Sequence, residues 1–139
     1  MVDIAVLRFN TRGTPSPRGT SEGTFDQARA ERLDVAAAVE FAELADDPAL
    51  VNRWLLGWSF GSDLALMYGN STSVEGAILV SPPLRFSGQE HLQGWAASVR
   101  PIVAPVPELD AYLRPAEAVQ RFRAIPPARV FGVGGGRPP

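Results

Sequence analysis

The sequence predicts an α/β protein with a parallel sheet of about five strands flanked by helices on both faces. Short apolar segments alternate with stretches of helical periodicity along the chain, which is typical of strands joined by right-handed helical crossovers. The apolar segments are nearly continuous, as expected for strands that are covered on both faces. The 139 residues fit one domain, 1–139, and do not comfortably fit two.

Composition excludes several classes of protein. A formal net charge of −2 provides no attraction to nucleic acid or to an anionic membrane surface. Because the chain has no cysteine and a single histidine, His91, it cannot form disulfides, thiolate sites or multi-histidine metal centres. No segment resembles a signal peptide, and no apolar stretch approaches the ~20 residues of a membrane span. We expect a cytoplasmic protein.

Five segments are predicted to be strands because each is a short apolar run bounded by turn residues. The first lies almost at the start of the chain, and the last is followed by only six residues. The five predicted strands are 4–9, 53–58, 77–80, 102–106 and 129–133.

The first predicted helix opens at Thr24, which has capping-box spacing to Gln27. Residues 46–48, Asp-Asp-Pro, are expected to end it. Three apolar side chains recur at helical spacing and should face the core. They are Val35, Val39 and Ala42.

Two further helices are predicted, one beginning near Phe60 and one running from Pro115 to about residue 124, since proline suits a first helical turn. Residues 84–100 form a less regular segment, expected to be a loop with one or two helical turns. The side chains predicted to face inward are Leu64, Ala65, Tyr68, Val119 and Phe122.

The pattern Gly57-Trp58-Ser59-Phe60-Gly61 points to chemistry. It is G-x-S-x-G at the end of a predicted strand and the start of a predicted helix, the setting of a nucleophile elbow. A sharp turn there lifts the serine hydroxyl above the sheet, and small flanking residues avoid clashes. The N–H of Phe60 then points at a developing oxyanion, beside the positive end of the helix. The alternative interpretation is a chance glycine turn at a strand end.

These features resemble the α/β-hydrolase family, and the resemblance extends over most of the chain. Residues 4–13 and 21–23 resemble the strand and the arginine–glycine loop that precede the nucleophile, and 76–83 resembles the next strand and its exit. The resemblance implies an esterase- or lipase-like serine hydrolase that acts on a small ester or amide without cofactor or metal. It also implies a short lid-like segment around 84–100.

The resemblance assigns roles to individual residues. Ser59 becomes the nucleophile, and Asp110, within the similar segment 107–115, becomes the triad acid, with Glu108 a weaker candidate. Asp110 follows a strand at the same sheet edge as Ser59, where parallel sheets gather their sites. The alternative for Asp110 is a solvated loop residue or a cap for the helix that starts near Pro115.

Two expected parts are missing from the sequence. The family places its triad histidine after the last strand, yet residues 134–139 contain none. His91 could replace it only by coming within about 3 Å of the serine hydroxyl, and a partly exposed loop histidine is favoured. An earlier strand, with its oxyanion donor, is also absent. We therefore expect an impaired copy of an incomplete α/β-hydrolase fold, truncated at the front and altered at the back through a frameshift or misplaced start, and exposed sheet edges that favour self-association.

Two other functions stay open. A non-catalytic descendant of the family would bind a small acyl compound, or act as an interaction module, without turnover. A doubly wound nucleotide-binding domain is less favoured, because Gly13, Gly19 and Gly23 do not fit G-x-G-x-x-G.

Overall fold

A computed structural model of the chain describes residues 4–45, 51–123, 125 and 128–134. These residues form a four-stranded parallel sheet, a two-stranded antiparallel hairpin and four helices. None of these helices has the length and the apolar character that crossing a bilayer requires. In chain order the elements are β1 (Pro15–Ser16), β2 (Gly19–Thr20), α1 (Arg32–Leu44), β3 (Trp54–Trp58), α2 (Phe60–Tyr68), β4 (Gly76–Val80), α3 (Gln89–Ser98), β5 (Ile102–Pro107), α4 (Pro115–Phe122) and β6 (Ala128–Val133).

The main sheet has the strand order β3-β4-β5-β6, and every neighbouring pair is parallel. The α/β class and four of the five predicted strands are thereby confirmed. In the register, Trp58 aligns with Val80 and Pro107 aligns with Val133. The carboxyl ends of β3 and β5, which precede Ser59 and Asp110, therefore lie at the same edge of the sheet.

The helices lie on one side of this sheet, and the prediction of helices on both faces is wrong for the described residues. One core cluster joins α2, α3 and α4 to side chains of β4 and β5, while α1 packs on α2. The physical reason is the strand order. Each connection from β3 to β6 steps in the same direction along the sheet, and right-handed crossovers then place every connecting helix on one side. The main cluster consists of Ala65, Leu66, Val74, Ala77, Leu79, Leu92, Trp95, Ile102, Ala104, Phe122 and Ile125.

Residues 4–9, predicted to be a strand, have no regular secondary structure. Their apolar side chains are exposed, with Ile4 at 78% and Val6 at 75%. Within the described chain no strand, this segment included, pairs with the outer edge of β3, so the backbone groups of residues 4–9 have no ladder partner. Apolar composition signals a strand only where pairing partners satisfy its backbone groups.

Helix α1 begins at Arg32, eight residues later than predicted from Thr24. The predicted capping box fails because Gln27 and Ala28 have left-handed φ values of 52° and 69°, which a right-handed helix cannot accommodate. The predicted end at 46–48 lies outside the described residues. The predicted inward face is confirmed, since Val35 is buried and Val39 and Ala42 are half-buried.

The segment 84–100 contains a ten-residue helix, α3, which is longer than the predicted one or two turns. Leu92 and Trp95 are fully buried against the core, and the Trp95 indole N–H donates to the Leu66 carbonyl at 3.0 Å. In α4 the predicted burial of Phe122 is confirmed. Val119 is 53% exposed, however, because Ala118 occupies the inward position instead.

Candidate active site

Ser59 occupies the sharp turn that joins β3 to α2. Its backbone has φ 50° and ψ −118°, in a region that costs a residue other than glycine about 1–3 kcal/mol. Hydrogen bonds hold the turn on both sides. The Ser59 N–H donates to the Val80 carbonyl and the Ser59 carbonyl accepts from the Ser62 N–H, each at 2.9 Å. A strained serine therefore stands at the carboxyl end of a strand, in the setting that G-x-S-x-G predicts.

The two flanking glycines have different surroundings. A Cβ on Gly57 would lie 2.5 Å from the Gly61 carbonyl carbon and 2.6 Å from the Ser62 nitrogen, so β3 and α2 approach too closely for any side chain. A Cβ on Gly61 would meet no atom within 4 Å. The steric reason predicted for both glycines holds at Gly57 alone.

An open cavity of about 370 Å³ adjoins Ser59, within the ~300–1,000 Å³ of ordinary small-molecule sites. Its apolar wall is a cluster of Phe25, Phe60 and Phe86, whose neighbouring rings meet edge to face at 5.4–6.4 Å. Tyr112 also lines the cavity. Trp58 does not line the cavity, because its exposed side chain lies on the side of the sheet that faces away from α2. The polar residues that line the cavity beside Ser59 are Gln27, Asp63 and Arg85.

The backbone N–H of Phe60 begins α2, where the first N–H groups of a helix have no intrahelical acceptor. Neither a side-chain cap nor a described backbone carbonyl accepts from it. This N–H is thus available to an anionic oxygen at the positive end of the helix dipole.

Asp63 borders the cavity but was not identified from the sequence. It is fully buried, and its carboxylate accepts from the backbone N–H groups of Arg85 and Ser87, at 3.3 and 3.0 Å, and from the Ser87 hydroxyl. These bonds fasten the loop after β4 to α2 and so position the Phe86 wall. The available signal was that Asp63 is the only charged residue of α2 and follows Ser59 by one helical turn.

Asp110 lies in the loop after β5, and β4 separates β5 from β3, the strand that precedes Ser59. Its Oδ1 accepts from the N–H groups of Tyr112 and Leu113 at 2.8 and 2.9 Å. The carboxylate therefore shapes the turn before α4 and brings Tyr112 to the cavity wall. This local role matches the loop alternative and not a cap of α4, whose N-cap is Arg114 without a side-chain cap bond. Oδ2 has no described partner.

Glu108 lies beside the position where the resemblance places a triad histidine. Its N–H donates to the Val133 carbonyl at 3.1 Å, which ties the ends of β5 and β6 together. A Cβ on Gly134 would stand 3.7–3.8 Å from the Glu108 carboxylate. A side chain at residue 134 would therefore contact Glu108 first.

His91 lies in the first turn of α3 and is not among the residues that line the cavity. The ring Nδ1 of His91 accepts the Gly88 N–H at 2.9 Å, and the backbone N–H of His91 donates to the Gly88 carbonyl at 3.1 Å. The same Nδ1 also lies 3.5 Å from Oε1 of Glu90, the preceding residue. The structure thus places His91 in a helix cap rather than at Ser59.

An ion pair between Arg12 and Asp34 fastens the loop before α1 to the helix. The guanidinium donates to both carboxylate oxygens at 3.0–3.1 Å, and the Arg12 N–H donates to Oδ2 at 2.9 Å. Burial raises the pKa of Asp34, but the hydrogen bonds and the charge of Arg12 outweigh it and hold that pKa below its ordinary value. The same hydrogen bond from Arg12 to Asp34 raises the pKa of the guanidinium.

Comparisons of the chain with protein-family models, with curated proteins and with solved structures find no significant match. Any functional conclusion therefore depends on the geometry of the site. That geometry consists of a strained serine, a free helix N–H and an aromatic cavity at one edge of a parallel sheet.

Proposed function

We propose that this chain is a serine hydrolase of the α/β-hydrolase family, acting on a small ester or amide through Ser59. The strained conformation of Ser59 beside the cavity carries the proposal. Left-handed residues other than glycine cluster at active sites, because the surrounding fold must hold them there. The Ser59 hydroxyl would attack the substrate carbonyl carbon, and the Phe60 N–H would stabilise the resulting oxyanion.

The order of the elements supports this family. The nucleophile follows β3, the acid candidate Asp110 follows β5, and the segment after β6 is where the family places its base. Because the strands are parallel and consecutive in the sheet, these three loops open at the same edge. The Phe25, Phe60 and Phe86 cluster would then bind the apolar part of the acyl group.

The proposed activity is weak in this chain. Ser59 needs a base to remove its proton, and the only histidine, His91, is held in the cap of α3. Loss of a triad member costs on the order of 10⁴ to 10⁶ in kcat. We therefore expect slow acylation of Ser59 by reactive reagents and little turnover of ordinary esters.

A fluorophosphonate probe tests the proposal, because a nucleophilic serine displaces its fluoride and keeps a covalent phosphonyl adduct, so that no turnover is required. Mass spectrometry should locate the adduct on Ser59, and Ser59→Ala should abolish it. Added imidazole should accelerate labelling by supplying the missing base. Equal labelling of the folded and the urea-unfolded chain would contradict an assembled site.

Ser81 provides a matched control for this experiment. It stands at the carboxyl end of the adjacent strand β4, with φ 49° and its N–H bonded to the Pro105 carbonyl at 3.0 Å, yet it does not line the cavity. The Ser81→Ala variant should label as the unmodified chain does. Adducts on Ser81 as well as Ser59 would mean that the probe reacts with any serine in a strained turn, and labelling would then give no evidence of an active site.

A second candidate, a binding module without turnover, is favoured by one observation. The Asp110 carboxylate is engaged in a loop turn and the His91 ring in the cap of α3, and neither side chain is hydrogen-bonded to Ser59. Such a module would be stabilised against unfolding by short-chain fatty acids while hydrolysing no ester. Probe labelling accelerated by imidazole would favour the hydrolase instead.

A further inference from the structure

The side of the main sheet that faces away from the helices is uncovered among the described residues. Neighbouring strands point registered residues to the same side, so Leu56 of β3 shares this face with Ile78, Val103 and Arg129, its register partners across the sheet. Leu56 is 68% exposed and Trp58 is 72% exposed. The apolar members of this outer face are Trp54, Leu56, Trp58, Ile78, Val80, Val103, Pro105, Pro107, Phe131 and Val133.

The outer face is large for a surface in contact with water. Scaling the exposed fractions of its five most exposed apolar side chains by ordinary side-chain areas gives on the order of 600 Å². Contiguous apolar patches on soluble monomers rarely exceed a few hundred Å², and larger ones mark interaction sites. Arg129 is the one charged residue of the outer face within the described chain, and it lies on the edge strand β6, where its guanidinium can reach water.

The fold itself explains why this face is bare. All crossovers from β3 to β6 place their helices on the other side, and α1 packs on α2 rather than on the sheet. The apolar segment 4–9 does not cover it either, since its side chains are themselves exposed. A cover for the outer face must therefore come from outside the described residues.

We propose that the outer face is the interface of a two-fold symmetric homodimer in which two copies pack their sheets face to face. A two-fold interface needs a surface complementary to itself, and an apolar face with no charge at its centre meets this condition without like-charge repulsion. Two such faces would bury on the order of 1,200 Å² in total, which reaches the range of specific interfaces. Apolar sheet faces pack in this way, about 10 Å apart, in sandwich folds.

The side chains of β3 contribute most to the outer face. Its sequence, Trp-Leu-Leu-Gly-Trp, carries no charge, and Trp54, Leu56 and Trp58 are 45%, 68% and 72% exposed. Face-to-face packing would bury these three side chains, while the backbone groups at the outer edge of β3 would stay unpaired. The cavity beside Ser59 stays open, because none of its lining residues belongs to the outer face, so the dimer does not depend on the proposed hydrolase function.

Sedimentation velocity on the full chain tests the proposal. The unmodified chain should sediment as a dimer at micromolar concentration. Leu56→Glu places two buried carboxylates in each dimer and should raise the dimer dissociation constant by at least about 100-fold. Because Leu56 is exposed in the single copy, this variant should keep its circular dichroism spectrum, which separates dissociation from unfolding.

Leu44→Glu is the matched control, because Leu44 is an equally exposed leucine on α1, away from the outer face. It should remain dimeric. Acrylamide quenching of tryptophan fluorescence gives a second measurement, since Trp54 and Trp58 should be shielded in the dimer and accessible in the Leu56→Glu monomer. A monomeric unmodified chain, a dimeric Leu56→Glu variant, or a monomeric Leu44→Glu variant would each overturn the proposal.

Discussion

Gly57 and Gly61 differ in what a single methyl group would do at the β3–α2 turn. Gly57→Ala drives a Cβ into the backbone of Gly61 and Ser62, and backbone overpacking of this kind costs about 1–3 kcal/mol. Gly61→Ala adds a methyl in open space within a helix, which should stabilise the chain by about 0.5–1 kcal/mol. Urea unfolding followed by circular dichroism measures both changes.

The two substitutions control each other, because they add the same atoms four residues apart. Opposite signs are the expected result, together with reduced fluorophosphonate labelling of Ser59 in Gly57→Ala alone. Two destabilising substitutions of similar size would mean that the turn tolerates no methyl anywhere, and the distinction drawn from the geometry would be wrong.

The Arg12–Asp34 pair predicts a specific pH dependence of stability. Because Arg12 holds the pKa of Asp34 below its unfolded value, the carboxylate stabilises the fold above that unfolded value, about 3.9. This contribution is lost as pH falls through the folded pKa. The free energy of unfolding of Asp34→Asn should therefore lie below that of the unmodified chain at neutral pH, and the two should converge in acid.

Asp26 provides the comparison for this experiment, since its pair with Arg29 is exposed and links neighbouring residues. Exposed pairs of this kind contribute little. Asp26→Asn should thus leave the decrease in the free energy of unfolding at acid pH unchanged. A difference between Asp34→Asn and the unmodified chain that persists undiminished at low pH would assign the effect to packing rather than to charge.

Local chemistry made some site residues predictable and others not. The candidates Gly57, Ser59 and Phe60 could be selected because a tight strand-to-helix turn is encoded by consecutive residues. Asp63 was missed because its partners, in the loop after β4, lie more than twenty residues away. The hydrogen bonds of Asp110 span only two and three residues, and turn preference already provided the loop alternative.

Helix α3 shows how one side chain can hold an element in place. Trp95 is fully buried among α2, β4 and β5 residues and hydrogen-bonded to the Leu66 carbonyl. Trp95→Ala should lower the free energy of unfolding by about 3–5 kcal/mol, through lost contacts and a cavity. The exposed neighbour Gln93 serves as the control, and Gln93→Ala should change stability by less than about 0.5 kcal/mol.

Elements were predictable where their signal was local. The strands β4 and β5 are apolar runs bounded by proline and glycine, and both were identified within one residue of their observed ends. The start of α1 was not, because no local pattern signals the left-handed conformations of Gln27 and Ala28. Ala28 is buried in one cluster with Leu64 of α2, which is distant in sequence. Periodicity also placed Val119 inward on α4, where an alanine one position earlier packs instead.

At the scale of the whole molecule, the apolar strands led to the prediction of a sheet covered on both faces. The same residues account for the apolar composition of the exposed outer face. The sequence pattern indicates how apolar each side of a strand is. That prediction was correct for β3, since Trp54, Leu56 and Trp58 are as apolar as the residues of a buried face. The pattern does not indicate what covers that side. Strand order decides this, and strand order is a property of the complete topology that no short window contains.

Hydrogen exchange should divide the molecule into two regions of very different protection. Residues 4–10 make no hydrogen bond to any described residue and expose their side chains, so their amides should exchange at nearly the rate of an unfolded chain. The amides of β4 and β5 are paired on both sides and should open only on global unfolding, at least about 1,000-fold more slowly.

The comparison is decisive for the segment 4–9, because a strand and an unpaired chain of the same sequence differ mainly in amide protection. Protection that is independent of protein concentration would mean that the segment pairs within its own chain, as the sequence pattern predicted. Protection that rises with concentration would place it against a second copy and link it to the outer face. Uniformly fast exchange is the expected result, since this segment pairs with no described strand and its backbone groups therefore have no protein partner.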